Sequence, residues 1–321
     1  MKSKAMESVS TLFIESVIRI LDDGDRCDVE EIPGRWGKCG RASRKKTGSL
    51  EIAFAPNEQN EWRLHYQLDG WPHLKTKKLS RKVFGDIARN ILSIEFFTTD
   101  KVLDEDWQSI GPDDKDGLVT FLTNLDAPEK KVEFEPATRL MNPDSDTLLM
   151  ARHPQFLANF SSLEMISIDQ APAGLVQQML STGRLRSVVI RNPVPASALP
   201  SKAWVEYFLS ESCMELRAEI KGFKTILELI AQWKKMDPRT LPPKKVFLAS
   251  DCSVRDMAKL GKTKIAVESA DKKILRVIGG AKEITRLHRI DHPVQPGSRI
   301  YVAFSLRPRA RQSGDVVMVL D

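Results

Sequence analysis

Six short strand-like runs recur along the middle of the chain, each separated from the next by a helix-like stretch. This alternation limits the possible folds more than any other feature. The runs are "LSIEFF" from Leu92, "KVEFEP" from Lys131, "LEMISID" from Leu163, "LRSVVIRN" from Leu185, "MELRAEI" from Met214 and "KKVFLAS" from Lys244. Their starts lie 39, 32, 22, 29 and 30 residues apart. Helical stretches such as "APAGLVQQMLS", "KAWVEYFLSES" and "TILELIAQWKKM" fall between them. Strands alternating with helices through short links predict parallel strands joined by right-handed crossovers.

A loose period in the twenties to thirties also implies stacked repeats, because one strand–helix unit cannot bury its own apolar face. The grammar resembles that of leucine-rich repeats. "LEMISID" and "LRSVVIRN" come closest, and Asn192 is the one counterpart of that family's asparagine. A degenerate leucine-rich-repeat-like curved sheet is therefore the first expectation, and a conventional open α/β sheet the second. Upstream, "SLEIAFAP" and "EWRLHYQL" flank "NEQN" and read as a β-hairpin. Downstream, "KTKIAVESADKKILRVIGG" reads as a hairpin turning near Ala270 and Asp271. "SRIYVAFSL" and "DVVMVLD" supply two further strands, so the C-terminal part is expected to be a small antiparallel cap on an otherwise open edge. The expected α/β organisation is a helical module over 6–45, a strand–helix array over 46–250 and the antiparallel cap over 251–321.

The opening segment is a different kind of element. Phe13, Val17, Ile20 and Leu21 fall at i, i+4, i+7 and i+8, one apolar face of a helix. Ser10 stands at the N-cap position. "DDGD" with Gly24 is expected to break the helix, and Val29, Ile32, Pro33 and Gly34 then lead to Trp36.

The chain offers little for bond chemistry. "LGKTK" contains Gly261-Lys262-Thr263, but Asp256 stands where a phosphate-binding loop needs glycine. His288 and His292 have the i, i+4 spacing of a helical metal pair, yet Pro293 follows and no cysteine or carboxylate completes a site, so they read as surface or loop histidines. His65, His73 and His153 are isolated. Trp204 and Trp233 stand at helical spacing among apolar neighbours and are expected in the core. No nucleophile elbow or dinucleotide fingerprint occurs. The expectation is a protein that is not an enzyme, with no catalytic, cofactor or metal site.

Charge and cysteine content narrow the setting. Forty-nine basic and 43 acidic residues give a net charge of +6, which permits nucleic-acid contact without arguing for it. The basic residues cluster in "RASRKK" (41–46), "KTKK" (75–78) and "RPRAR" (307–311), without interleaved aromatics for base stacking. Cys27, Cys39, Cys213 and Cys252 lack paired spacing, which fits a reducing compartment. No apolar run reaches membrane-spanning length, and "MKSKAMESVS" lacks a secretory apolar block. Cytoplasmic or nuclear residence is expected.

The segment Val9 to Trp36 resembles an F-box. Val9, the pair Phe13 and Ile14, Val17, Leu21, Asp22, Asp25, Ile32 and Trp36 fall on that family's pattern without a gap. Val9-Ser10 replaces the usual leucine-proline start, Arg26 and Cys27 replace leucines after the turn, and Pro33-Gly34 precede the tryptophan. Together with the downstream strand–helix array, the chain is similar to the large nematode family of F-box-like proteins. The resemblance implies a substrate receptor of a cullin–RING ubiquitin ligase. Val9, Phe13, Ile14, Val17, Leu21, Ile32 and Trp36 would bind a Skp-family adaptor, and the sheet would bind a target protein.

Two other roles compete. In one, the opening helices cap the array of an interaction scaffold with no ligase link. In the other, Arg41, Arg44, Lys45, Lys75, Lys77 and Lys78 form one nucleic-acid-binding surface. Accessibility of the apolar residues on the first helix separates docking from capping.

Overall fold

The structure is a computed structural model. It describes residues 9–21, 23–76, 78–111, 117–134, 156–171, 173–242, 245–260, 263–278, 284–306 and 313–321. These residues form a mixed α/β protein with ten helices and thirteen strands among them. They divide into two compact units. One holds the described residues of Met1–Glu133 and Leu140–Asn159, the other those of Phe134–Arg139 and Phe160–Asp321.

The first unit opens with three helices, α1 (Thr11–Ile20), α2 (Asp23–Glu31) and α3 (Arg35–Arg44). The Ser10 hydroxyl accepts the Phe13 N–H at 3.2 Å, so the expected cap is formed. The chain does break after Ile20, but not through Gly24 as the sequence suggested. Gly24 and Asp25 instead belong to the first turn of α2. A carboxylate there faces the positive end of the helix dipole, which offsets the poor helix propensity of the segment. Pro33 and Gly34 make the turn into α3, with Gly34 at φ 86°, a conformation that glycine adopts without strain.

Strands β1 (Gly48–Pro56) and β2 (Trp62–Gly70) form the expected hairpin, in register from Gly48↔Gly70 to Pro56↔Trp62. The "NEQN" turn is held by Asn57, whose Oδ1 accepts the N–H groups of Gln59 and Glu61 at 3.0 and 2.8 Å. Helix α4 (Arg81–Ala88) leads to β3 (Ile91–Thr98), which runs parallel to β1. After β4 (Gln108–Ser109), α5 (Leu118–Asn124) and β5 (Glu129–Phe134), the strand order here is β5-β3-β1-β2-β4. Leu50, Ile52, Phe54, Leu64, Leu68, Ile94 and Phe96 are buried in its core.

The second unit contains β6 (Ser162–Met165), α6 (Ala173–Ser181), β7 (Ser187–Val194), α7 (Ser201–Phe208), β8 (Glu215–Lys221), α8 (Lys224–Trp233) and β9 (Val246–Ser253). The four strands are sequential neighbours and all parallel. Helix α6 contacts α7, and α7 contacts α8. Right-handed crossovers place such helices on one face of the sheet. Trp204 and Trp233 are buried, as their spacing required.

The C-terminal part follows the sequence only in places. Helix α9 (Val254–Ala258) starts with a capping box in which Asp256 accepts from Ser253 N–H and Oγ–H at 2.9 and 2.7 Å. The aspartate that spoils the phosphate-loop pattern is thus a helix cap. The hairpin expected around Ala270 is absent. Among the described residues of that segment only β10 (Lys264–Ile265) is a strand, and Lys272–Val277 is helix α10, capped by Asp271 accepting from Lys273 N–H at 2.7 Å. Ile274, Val277 and Ile278 recur at helical spacing and pack on Leu287 and Tyr301, so a helix buries what a strand would have split between two faces. Strands β11 (Ile284–Asp291), β12 (Arg299–Leu306) and β13 (Ser313–Leu320) are antiparallel, and β13 pairs with β9.

Candidate functional site

Helix α1 carries apolar side chains on two faces, and only one is used internally. Ile14 and Ile18, one helical turn apart, are fully buried with Val29 of α2 and Cys39 of α3. Val9, Leu21, Ile32 and Trp36 pack around that cluster, partly buried. The other face is open: Leu12 is 78% exposed, Phe13 54% and Ile20 73%, with Val17 half-buried at the margin. A short surface helix ordinarily turns such residues inward. Three large apolar side chains on one small helix are an exposed patch of the kind that marks an interface.

The seven residues expected to bind an adaptor therefore divide. Phe13 and, in part, Val17 stand on the open face. Ile14 is buried, and Val9, Leu21, Ile32 and Trp36 build the module's interior. Leu12 and Ile20 join the open face instead. The i, i+4, i+7 spacing of Phe13, Val17 and Ile20 already marked that face. It could not reveal which of two apolar faces the chain would cover.

Hydrogen bonds hold the module together. Arg41 Nη1 donates to the Glu30 carbonyl at 2.6 Å, Arg44 Nη1 meets the Glu30 carboxylate at 3.4 Å, and Arg35 Nη1 donates to the Val9 carbonyl at 3.0 Å. Arg19 Nη2 donates to the Asp126 carbonyl at 2.5 Å, tying α1 to the connection before β5. Two arginines of the first basic cluster are thus engaged in joining α3 to α2. The hairpin register, with Trp71 N–H bonded to Thr47 O at 3.1 Å, brings Lys45 and Lys75 to the same hairpin end. Lys77 and the "RPRAR" cluster lie outside the described residues.

The parallel strands of the second unit supply another surface. Leu163, Met165, Val188, Ile190, Leu216, Ala218 and Ile220 are buried. The alternate residues are exposed or half-buried, and the register aligns Glu164, Val189 and Arg217 in one row and Ser162, Ser187 and Glu215 in the next. Polar contacts link these rows: Arg191 to Glu164 at 2.6 Å, Arg217 to Glu215 at 2.6 Å, and Ser187 Oγ donating to Glu215 at 2.8 Å. Parallel sheets covered on both faces bury both sets of side chains. Here one set, polar apart from Val189, stays accessible or half-buried.

The buried Lys245 has a structural role. Lys245 Nζ donates to the carbonyls of Phe208 and Ser210, the latter at 2.7 Å, and so closes the end of α7. Burial lowers the Lys245 pKa, but its donors are already committed. Burial pushes the Cys213 thiol up and the Cys252 thiol to about 12, so neither is a thiolate nucleophile near neutral pH. The expectation of surface or loop histidines fails for His288 and holds for His292, which lies in a loop although it is buried. His288 is a buried residue of β11 bonded through Nδ1 to Thr263 Oγ1 at 3.1 Å. His292 is buried after that strand, where Nδ1 accepts from Val294 and Gln295 N–H and Nε2 faces the Trp233 and Met236 carbonyls, at 3.0–3.2 Å. The pair lies on a strand and its end, not on a helix, so the i, i+4 spacing does not create a metal pair. Among the described residues no three His, Cys, Asp or Glu side chains gather as a metal site. No helix among them is long and apolar enough to cross a membrane.

No family model, curated protein or solved structure matches the chain.

The open face of α1 and the accessible face of the parallel strands are two surfaces suited to partners.

Proposed function

We propose that the protein is a non-catalytic substrate receptor of a cullin–RING ubiquitin ligase. In this reading the N-terminal helices dock on a Skp-family adaptor, and the polar face of the parallel strands holds the target protein. The observation that carries it is the open apolar face of α1. Leu12, Phe13 and Ile20 are exposed although the same helix has buried Ile14 and Ile18 beneath it. Each such side chain contributes roughly 1.5–3 kcal/mol when a partner takes it fully out of water. The resemblance of Val9 to Trp36 to an F-box names the partner.

Sequential parallel strands, with helices packed in the same order and one polar strand face, support a leucine-rich-repeat-like array. Repeat arrays commonly bind partners on such an open strand surface. A receptor of this kind holds target lysines near the ligase and performs no bond chemistry. The capping alternative draws on the Arg19–Asp126 contact, which anchors α1 within its unit. Capping and docking use different faces of the helix, so the anchor is compatible with a free outer face.

The test is a pull-down of the full chain with a purified Skp-family adaptor, beside a Phe13→Asp, Ile20→Asp variant checked for folding by circular dichroism. Capture of the wild type and loss of capture by the folded variant support the receptor. An adaptor that ignores the wild type removes the ligase link and leaves an interaction scaffold.

A further inference from the structure

We infer that the first unit contains an oxyanion-binding cavity, fitted to a phosphate group, which Ile20 of the proposed docking face borders but whose cations adaptor docking does not use. The cavity has a volume of about 670 Å³, within the range of small-ligand sites. Three cations from three separate segments line it: Arg19 of α1, Lys46 just after α3 and Arg89 just after α4. The topology brings them together. Gly48 N–H bonds to the Asn90 carbonyl at 3.4 Å, and β1 and β3 then run parallel, so the chain enters both strands at one end.

The donors suit a tetrahedral anion. Arg19 spends Nη2 on the Asp126 carbonyl, while its buried Nε has no acceptor among the described residues. The Asp126 bond holds the guanidinium at the cavity wall, where its charge attracts an anion. The Lys46 and Arg89 side chains make no hydrogen bond or ion pair among the described residues, and so remain free to meet a ligand. The hydroxyls of Ser43 and Thr47 add neutral donors, whereas that of Ser16 is committed to the Phe13 carbonyl at 2.8 Å.

Two carboxylates, Glu15 and Asp126, also border the cavity, and both residues are exposed. Three cations against two solvated carboxylates leave a positive lining. A phosphate monoester carries close to two negative charges and several acceptor oxygens, so it matches this lining better than a single carboxylate does. The group can arrive as free phosphate or as a phosphorylated side chain of another polypeptide. Both present the same chemistry to Arg19, Lys46 and Arg89.

Isothermal titration of the full chain separates the sources. Inorganic phosphate and O-phosphoserine are titrated at constant ionic strength, with sodium chloride as the blank. The expected result is saturable one-to-one binding that weakens at least tenfold in a Lys46→Gln, Arg89→Gln variant whose circular dichroism is unchanged. It should be unaltered in Lys272→Gln, a substitution in the other unit. Tighter binding of phosphoserine assigns the site to a phosphorylated polypeptide, and equal or tighter binding of phosphate assigns it to the free ion. Absence of saturable binding by either, or binding that the double variant retains, overturns the inference. The readout contains no adaptor, so it is independent of the outcome of the pull-down.

Discussion

Gly48 and the indole of Trp71 occupy adjoining space: a methyl group on Gly48 would stand 2.5 Å from Cε3 of Trp71 and 2.3 Å from the Asp69 carbonyl oxygen. Trp71 is buried and takes a left-handed φ of 46°, uncommon for so bulky a residue. Its N–H bonds to Thr47 O at 3.1 Å, which locks the hairpin end beside α3. Gly48→Ala is expected to destabilise the protein by about 1–3 kcal/mol, since the obstacle is backbone and a fixed ring. Urea denaturation followed by tryptophan fluorescence measures it. A variant as stable as wild type would mean that Trp71 has room to move.

The two faces of α1 predict opposite responses to truncation. Ile18→Ala empties the buried cluster with Ile14, Val29 and Cys39 and should cost about 2–5 kcal/mol. Phe13→Ala on the open face should stay within about 0.5 kcal/mol of wild type. Thermal denaturation of both variants compares them directly. Equal losses would place Phe13 in the interior and remove the free face.

Stability should fall on mild acidification. Burial lowers the pKa of His65 below 6.5, with Arg63 adding to the shift and a hydrogen bond to the Ala55 backbone opposing it. Burial likewise lowers His288, helped by Arg286 and Lys264. Below pH 6.5 the unfolded chain takes up protons that the folded chain refuses, so stability is retained above that pH and declines as pH drops towards the folded values. Denaturation midpoints at pH 7.5, 6.5 and 5.5 should decrease in that order. A His65→Gln, His288→Gln variant should show a shallower decline, and an unchanged slope would assign the effect to other groups.

His292 joins α8 to the turn after β11. Its ring meets that of Trp233 edge-on with centroids 4.6 Å apart, and its nitrogens serve four backbone groups. His292→Phe keeps the ring and removes every one of those bonds. A loss of at least about 2 kcal/mol is expected. Chemical denaturation that matched wild type would show the backbone groups satisfied in another way.

The elements that sequence periodicity made legible were those set by local rules. All six strand-like runs overlap observed strands, the "NEQN" hairpin forms around Asn57, and Ser10 caps α1. Period-two alternation, turn chemistry and capping each act within a few residues, so the order of residues alone determines them. The misreading at Lys272–Val277 arose where strand and helix periods compete over a short apolar run. Packing of Ile274 on Leu287 and Tyr301 then selected the helix.

Only the tertiary structure decided which surfaces remain open. Sequence spacing identified Phe13, Val17 and Ile20 as one apolar face, yet Ile14 and Ile18 were equally apolar. Contacts with Val29 and Cys39, up to 25 residues away, chose the face that is covered. The cavity of Arg19, Lys46 and Arg89 likewise has no sequence signature. Lys46 and Arg89 meet because β1 and β3 enter one sheet in parallel at the same end, and the Arg19–Asp126 bond adds the third cation. The sequence by itself determined the elements and their alternation. Burial and the juxtaposition of distant charges depend on which elements touch, and that is decided by long-range packing.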